Sequence, residues 1–115
     1  MPVIQVKALP QRSSVDIPKA LRHLCTETAV RLDIAAHHVW ATWETLEPGH
    51  YLEGDKAADL QPASSHGPIV TITAFEGRSA AQIESILLAI AEVLEHELSI
   101  DHGNVFITWC EALSG

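Results

Sequence analysis

A proline at position 2, directly after Met1, is the residue in this sequence best suited to proton transfer. Removal of the methionine would expose a secondary amine, and the proline ring would hold its nitrogen in place. An ordinary α-amino group has a pKa of about 7.7–8.0, and an apolar pocket beside cations lowers that pKa by disfavouring the charged amine. Such an amine accepts and returns a proton near neutral pH. Pro2 is therefore a candidate catalytic group; the alternative is that Met-Pro is only a common start, and further features of the sequence must decide between the two.

The overall charge narrows the classes of partner. Seven Lys and Arg residues face fifteen Asp and Glu residues, a formal net charge of −8. The resulting negative field repels nucleic-acid phosphates and anionic membrane surfaces, so neither is an expected partner. A site for a small carboxylic acid would need a cation, and Lys7, Arg12 and Arg78 are the conspicuous candidates.

The seven histidines do not form a metal-binding pattern. His37 and His38 are adjacent, and the other five lack i,i+4 spacing or a cysteine at ligand spacing. We expect neither a metal nor any other cofactor. His50 and Tyr51 could instead donate a hydrogen bond to a substrate oxygen, although exposed loop residues are the plainer interpretation.

The elements that must position these residues are written twice. Residues 2–45 align with residues 68–111 at a constant offset of 66, without a gap, and eleven of the pairs are identical. The identical pairs are Pro2/Pro68, Ala8/Ala74, Arg12/Arg78, Ser13/Ser79, Ile17/Ile83, Leu21/Leu87, Leu32/Leu98, Ile34/Ile100, Val39/Val105, Thr42/Thr108 and Trp43/Trp109. The chain is therefore predicted to repeat one structural unit.

Each copy reads as strand, helix, strand. The β-rich runs are Val3–Leu9, Val39–Glu44, Ile69–Phe75 and Val105–Cys110. Between them, apolar residues at helical spacing predict one buried stripe per helix. These stripes are Ile17, Leu21, Leu24, Thr28 and Leu32 in the first helix, and Ile83, Leu87, Ile90, Leu94 and Leu98 in the second.

A crossover helix between neighbouring strands makes those strands parallel and the connection right-handed. Two such units predict an α/β (α+β) fold, a four-stranded sheet with both helices on one face. The opposite face would be partly apolar, and self-association would cover it. We expect residues 1–115 to form a single domain, in which a turn-rich connector, residues 46–67, joins the two units.

The stretch from Pro68 to Ser79 resembles the opening of 4-oxalocrotonate tautomerase: a proline, an alternating strand and then Glu-Gly-Arg-Ser. Pro2 to Ser13 repeats this pattern more loosely. The resemblance extends to the order of elements and covers nearly the whole chain. In length and duplication the chain looks most like fused two-unit members of the tautomerase superfamily, such as the groups of macrophage migration inhibitory factor, malonate semialdehyde decarboxylase and cis-3-chloroacrylic acid dehalogenase. This resemblance implies a homotrimer.

The resemblance also implies roles for residues. Pro2 would be the acid and base, and Arg78 would hold the substrate carboxylate, since the second unit's arginine faces the first unit's proline in fused members. A guanidinium group binds carboxylates through paired hydrogen bonds. Arg12 would instead face Pro68, whose nitrogen is locked in a peptide bond, so a surface or interface role is expected for Arg12.

Aromatic residues are expected to form the wall of the site. Phe106 stands where 4-oxalocrotonate tautomerase has a second arginine, so the substrate of that enzyme is not expected here. Trp40 is the repeat mate of Phe106, and Phe75 precedes the Glu-Gly-Arg turn. Phe106 and Thr108 would come from the final strand of a neighbouring chain. Core packing is the alternative for the aromatic residues.

Three functions are consistent with these features. The first is a cofactor-free tautomerase (isomerase) that moves a proton between carbon and oxygen of a small 2-keto or enol carboxylic acid. The second is a hydratase, dehalogenase or decarboxylase of the same superfamily, in which Glu44, Glu53 or Asp55 activates water. The third is a non-enzymatic scaffold or binding protein. Two unpaired cysteines and no secretory or membrane-spanning pattern predict a cytoplasmic location.

Overall fold

The computed structural model describes residues 2–113 and contains the strand, helix, strand order twice. The first unit consists of β1 (Val3–Ala8), α1 (Ile17–Leu32), a short 3-10 turn (Ala36–His38) and β2 (Trp40–Thr45). The second consists of β3 (Ile69–Phe75), α2 (Ala80–Leu98) and β4 (Phe106–Ala112). The predicted fold class is therefore confirmed.

The four strands form one mixed sheet in the order β2-β1-β3-β4. Within each unit the strands are parallel, with Val3 opposite Trp40 and Ile69 opposite Phe106. The central strands β1 and β3 are antiparallel, and Val3 lies opposite Thr73. The start of β1 and the end of β3 therefore share one end of the sheet, which we call the Pro2 end. The opposite end, where β1 finishes and Pro68 precedes β3, is the Pro68 end.

The core lies between the helices and one face of the sheet. Alternate residues of the central strands are buried, as a period of two requires. The predicted helix stripes are buried at Leu24, Thr28, Leu32, Ile90, Leu94 and Leu98, whereas Ile17, Leu21, Ile83 and Leu87 are only half-buried. Five further helix residues are also buried: Ala20, Ala29, Ile86, Ala89 and Val93. Each helix packs on its neighbour as well as on the sheet, so its buried face is wider than one stripe.

The two helices begin differently and end alike. Ser79 caps α2, because its hydroxyl accepts a hydrogen bond from the backbone N–H of Gln82 at 3.1 Å. Its repeat mate Ser13 does not cap α1; Asp16 does, through a 3.0 Å bond from Lys19. Pro18 explains the later start, because proline is tolerated only in the first helical turn. Both C-caps, Asp33 and Ser99, are left-handed with φ 54° and ψ 48°.

The sheet face away from the helices, which we call the open face, carries three rows of side chains. The middle row is polar and consists of Thr42, Gln5, Thr71 and Thr108. The row at the Pro2 end is Trp40, Val3, Thr73 and Cys110, and the row at the Pro68 end is Glu44, Lys7, Ile69 and Phe106. The apolar surface predicted on this face is therefore divided between its two ends.

The connector folds over the Pro68 end. Its backbone joins the ends of both units, since the Gln61 N–H donates to Pro10 and the Asp101 N–H donates to Ala63. The amide of Asn104 donates to the carbonyls of Ala63 and Ser65, each at 3.0 Å. These bonds give the long connector a defined structure of its own.

Neither helix in the described part of the chain is long and apolar enough to cross a membrane. Residues 2–113 also contain no cluster of three or more His, Cys, Asp or Glu side chains that could hold a metal ion.

Candidate active site at the Pro2 end of the sheet

Pro2 is the residue just before β1 and is fully buried. Its carbonyl accepts a 3.0 Å hydrogen bond from the backbone N–H of Trp40, which extends the parallel pairing of β1 with β2 by one residue. This hydrogen bond holds Pro2 at the Pro2 end of the sheet, directly before β1. The expected removal of Met1 falls outside the described residues.

Arg78 reaches the same end of the sheet from the other unit. It follows β3 in a turn that needs Gly77, whose φ of +106° is unfavourable for a residue with a side chain. Arg78 is half-buried, and its Nε atom is buried without a hydrogen-bond partner among the described residues. No salt bridge involves Arg78 within residues 2–113, whereas Arg31 pairs with Glu27 at 3.3 Å. A buried donor without a partner is unfavourable, and an anionic ligand would satisfy it.

The start of α2 adds to the positive potential beside Arg78. Ser79 is the N-cap of this helix, which runs over nineteen residues. The first N–H groups of a helix lack partners within the helix, and the helix dipole makes this end favourable for anions. Arg78 and the first turn of α2 are therefore both suited to a carboxylate.

Two predicted wall residues, Trp40 and Phe75, lie at this end of the open sheet face. Trp40 is opposite Val3 on β2 and is 52% exposed; Phe75 ends β3 and is 39% exposed. Trp40 is on β2 and Phe75 is on β3, and β1, the strand that follows Pro2, lies between those two strands. The two rings provide an apolar surface for a ligand bound there.

The other predicted substrate contacts lie elsewhere in the chain. Phe106 is opposite Ile69 at the Pro68 end, and Thr108 is opposite Thr71 in the middle of the sheet. His50 follows β2 in the connector, is exposed and lies 3.7 Å from a carboxylate oxygen of Glu47. Within a single chain these three residues do not meet Pro2.

Cys110, which the sequence did not mark as a site residue, belongs to the Pro2 end. It is opposite Thr73 on the open face, in the same row as Trp40 and Val3, and is half-buried. The register of β4 against β3 places it there, and no local sequence signal marks it. Cys25, by contrast, packs against the core, and burial raises the pKa of its thiol.

Many solved structures have this arrangement, and the three described below share between 15% and 19% of their residues with the chain. Pt0534 inactivated by 2-oxo-3-pentynoate superposes with a TM-score of 0.83 at 15% identity, covering 96% of this chain and 85% of that one. The F6 fused 4-OT wild-type asymmetric trimer gives 0.82 at 17% identity, with the same coverage. The chain has the tautomerase-superfamily fold.

A third structure with the tautomerase fold broadens the likeness. N1, a member of the cis-3-chloroacrylic acid dehalogenase family, superposes with a TM-score of 0.74 at 19% identity, covering 96% of this chain and 75% of that chain. No family model and no curated protein matches the sequence. The tautomerase fold is thus evident from the backbone at sequence identities too low to specify a reaction.

Proposed function

We propose that the chain is a cofactor-free tautomerase in which Pro2, freed of Met1, moves a proton on a small 2-keto or enol carboxylic acid held by Arg78. The observations that support this proposal are that Pro2 and Arg78 lie at the same end of the sheet and that the buried Arg78 Nε has no hydrogen-bond partner within residues 2–113. We also propose a cytoplasmic location, which suits the two free cysteines.

In the proposed reaction the neutral Pro2 amine removes the enol hydroxyl proton and leaves an enolate. As the electron pair of the enolate oxygen forms the carbonyl, the electrons of the carbon–carbon double bond take the proton from the Pro2 ammonium, and the amine is neutral again. Arg78 donates paired hydrogen bonds to the carboxylate, so the substrate is oriented throughout. General acid and base catalysis of this kind contributes roughly 10²- to 10⁴-fold in rate.

We further propose that a homotrimer completes the site. Trp40 and Phe75 of one chain would form one wall, and Phe106 and Thr108 of a neighbouring subunit would form the other. His50 lies at the same end of its chain as Phe106 and would arrive with it. The apolar ends of the open sheet face support association, because Trp40 and Phe106 are 52% and 66% exposed in the single chain.

The experiment compares Pro2→Ala with Pro68→Ala in the enol-to-keto conversion of phenylenolpyruvate. We expect Pro2→Ala to lose at least about 10²-fold in kcat/KM and Pro68→Ala to keep turnover per folded molecule, because only Pro2 has a nitrogen that can become free. Intact mass spectrometry first establishes whether Met1 is absent. Retained methionine would overturn the mechanism and favour a scaffold, whereas turnover in Pro2→Ala equal to that in Pro68→Ala would overturn the catalytic role of Pro2.

Chemical labelling provides an independent check. The structurally similar Pt0534 was inactivated by 2-oxo-3-pentynoate, an electrophilic 2-keto acid. We expect this compound to add once to the chain, at Pro2, and the Pro2→Ala variant to remain unlabelled there. Labelling confined to Cys110 or Cys25 would show that a thiol, not the amine, reacts.

A second candidate is hydration or dehalogenation of a three-carbon unsaturated acid by a protonated Pro2. The structural similarity to N1, a member of the cis-3-chloroacrylic acid dehalogenase family, supports this second candidate. Product analysis by NMR with a 3-haloacrylate and with phenylenolpyruvate separates the two reactions. Release of halide without enol turnover would replace the tautomerase proposal.

A further inference from the structure

A cleft of about 390 Å³ lies at the Pro68 end, between the connector and the start of β4. Tyr51 and Glu53 line it from the connector, and Phe106 and Asn104 line it from the second unit. None of the residues that line this cleft is a lysine or an arginine. The cleft is therefore lined by one carboxylate and two aromatic rings, whereas the Pro2 end has an arginine.

The carboxylate of Glu53 is held in place at this cleft. One of its oxygens, Oε2, accepts a 2.8 Å hydrogen bond from the backbone N–H of His66. The backbone of Glu53 also bonds in both directions to Lys56 across a tight turn. Within residues 2–113 Glu53 makes no salt bridge, so its charge is not neutralised by another side chain.

Two aromatic rings stand beside this carboxylate. The Tyr51 hydroxyl donates a 2.7 Å bond to the carbonyl of Gly67, and its ring meets the buried His66 ring edge-on with centroids 5.2 Å apart. Burial, and then the Glu53 carboxylate, raise the pKa of Tyr51, so its phenol stays neutral. Phe106 is 66% exposed in the single chain, so its ring is not covered by its own chain.

We propose that this cleft binds an organic ammonium ion with an apolar substituent. The positive group would lie against Glu53 and the ring faces of Tyr51 and Phe106, a combination of ionic and cation–π attraction. The net charge of −8 draws cations toward the whole molecule and adds to their local concentration.

The test is a titration of the ¹⁵N-labelled full chain, followed by NMR, with three probes of similar shape. Benzyltrimethylammonium is the cation, benzyl alcohol is neutral and benzoate is the anion. We expect the amide signals of Gly67 and Gly103 to shift and saturate with the cation, and the neutral and anionic probes to bind at least about fivefold more weakly. Equal binding of the cation and the alcohol would overturn the proposal.

Matched variants locate the effect. Glu53→Gln keeps an oxygen for the His66 N–H while removing the charge, and we expect it to weaken cation binding about two- to fivefold. Phe106→Leu removes an exposed ring, with an expected loss of similar size. Glu47→Gln, in the same connector but outside the cleft, should change nothing. Unchanged affinity in both Glu53→Gln and Phe106→Leu, with native spectra, would refute the site.

The ammonium group has two possible sources. It is either a free amine or the far end of an amino acid-like substrate whose carboxylate lies at a neighbouring Pro2 site, and only the second source rests on the proposed function. Benzyltrimethylammonium that inhibits phenylenolpyruvate turnover competitively would indicate the shared site. Binding without inhibition would indicate a separate site. Binding itself can be measured by NMR even if the chain has no tautomerase activity, so failure of the proposed function and failure of this site are distinguishable.

Discussion

The two ends of the sheet are built from the same repeated unit and differ in what covers them. At the Pro2 end, Arg78 has a buried donor with no partner in the part of the chain that the structure describes. At the Pro68 end, the connector packs over the strand ends and is fixed by Asn104 and Gln61. Pro68 is as fully buried as Pro2, but its nitrogen is part of a peptide bond. The same repeated unit can therefore form one end that a connector covers and another end that it leaves open.

The largest difference in activity between the two ends is expected for variants of the two repeated arginines, Arg78 and Arg12. Arg78→Ala removes a charged donor from the proposed carboxylate site and should lower kcat/KM about 10- to 100-fold, equivalent to about 1.5–3 kcal/mol. Arg12→Ala, its repeat mate, is exposed and should retain turnover. Steady-state kinetics on phenylenolpyruvate measures both. Equal losses would mean that the ends do not divide the chemistry between them.

The next largest effect is on stability, and it concerns the close packing at the Pro68 end. A side-chain carbon added at Gly67 would lie 2.4 Å from the carbonyl oxygen of Asn104. Because the clash is with backbone, Gly67→Ala should lower the free energy of unfolding by about 1–3 kcal/mol. Urea denaturation measures this value.

Removing the Asn104 side chain is the control for that packing. Adding Asn104→Ala to Gly67→Ala should not restore stability, because the clashing atoms include the Asn104 backbone. Recovery in the double variant, or a loss below about 0.5 kcal/mol in Gly67→Ala, would show that the connector is less closely packed than described.

A smaller effect separates the starts of the two helices. Ser79→Ala removes the N-cap of α2 and should destabilise the fold by about 1 kcal/mol. Ser13→Ala, at the equivalent position of the first unit, should have almost no effect, since Asp16 caps α1. Thermal unfolding of both variants checks the difference. A matching loss for Ser13→Ala would mean that both units use the same cap.

The smallest effect is the pH dependence of stability that Tyr51 causes at the Pro68 end. Its pKa is raised above the ordinary value of 10.0, so folding favours the neutral phenol. The unfolded chain then binds fewer protons than the folded chain as the pH passes 10, and stability falls with rising pH in that range. Ultraviolet titration should show a late-ionising tyrosine, and Glu53→Gln should lower its pKa. An unchanged pKa in that variant would remove Glu53 as a cause.

Much of the fold could be predicted because its signals are local. Period-two strands and period-3.6 helices depend on the alternation of neighbouring residues, and both appear within each copy. The Glu76-Gly77-Arg78 turn also carries its own signal, because Gly77 adopts the left-handed backbone that the turn requires. The start of α1 at Ile17 was less evident, because Ser13 matches Ser79 and only the effect of Pro18 distinguishes them.

By itself the sequence determined the repeat and the element types, and it predicts different roles for Pro2 and Pro68. Only the tertiary structure decided which side chains meet. The antiparallel pairing of β1 with β3 brings Pro2 and Arg78 to one end, and the register adds Cys110 to that row. Packing of the connector places Tyr51 and Glu53 beside Phe106. These contacts join residues far apart in the chain, and the hydrophobic burial and strand hydrogen bonding that select them act between elements, where no local pattern records them.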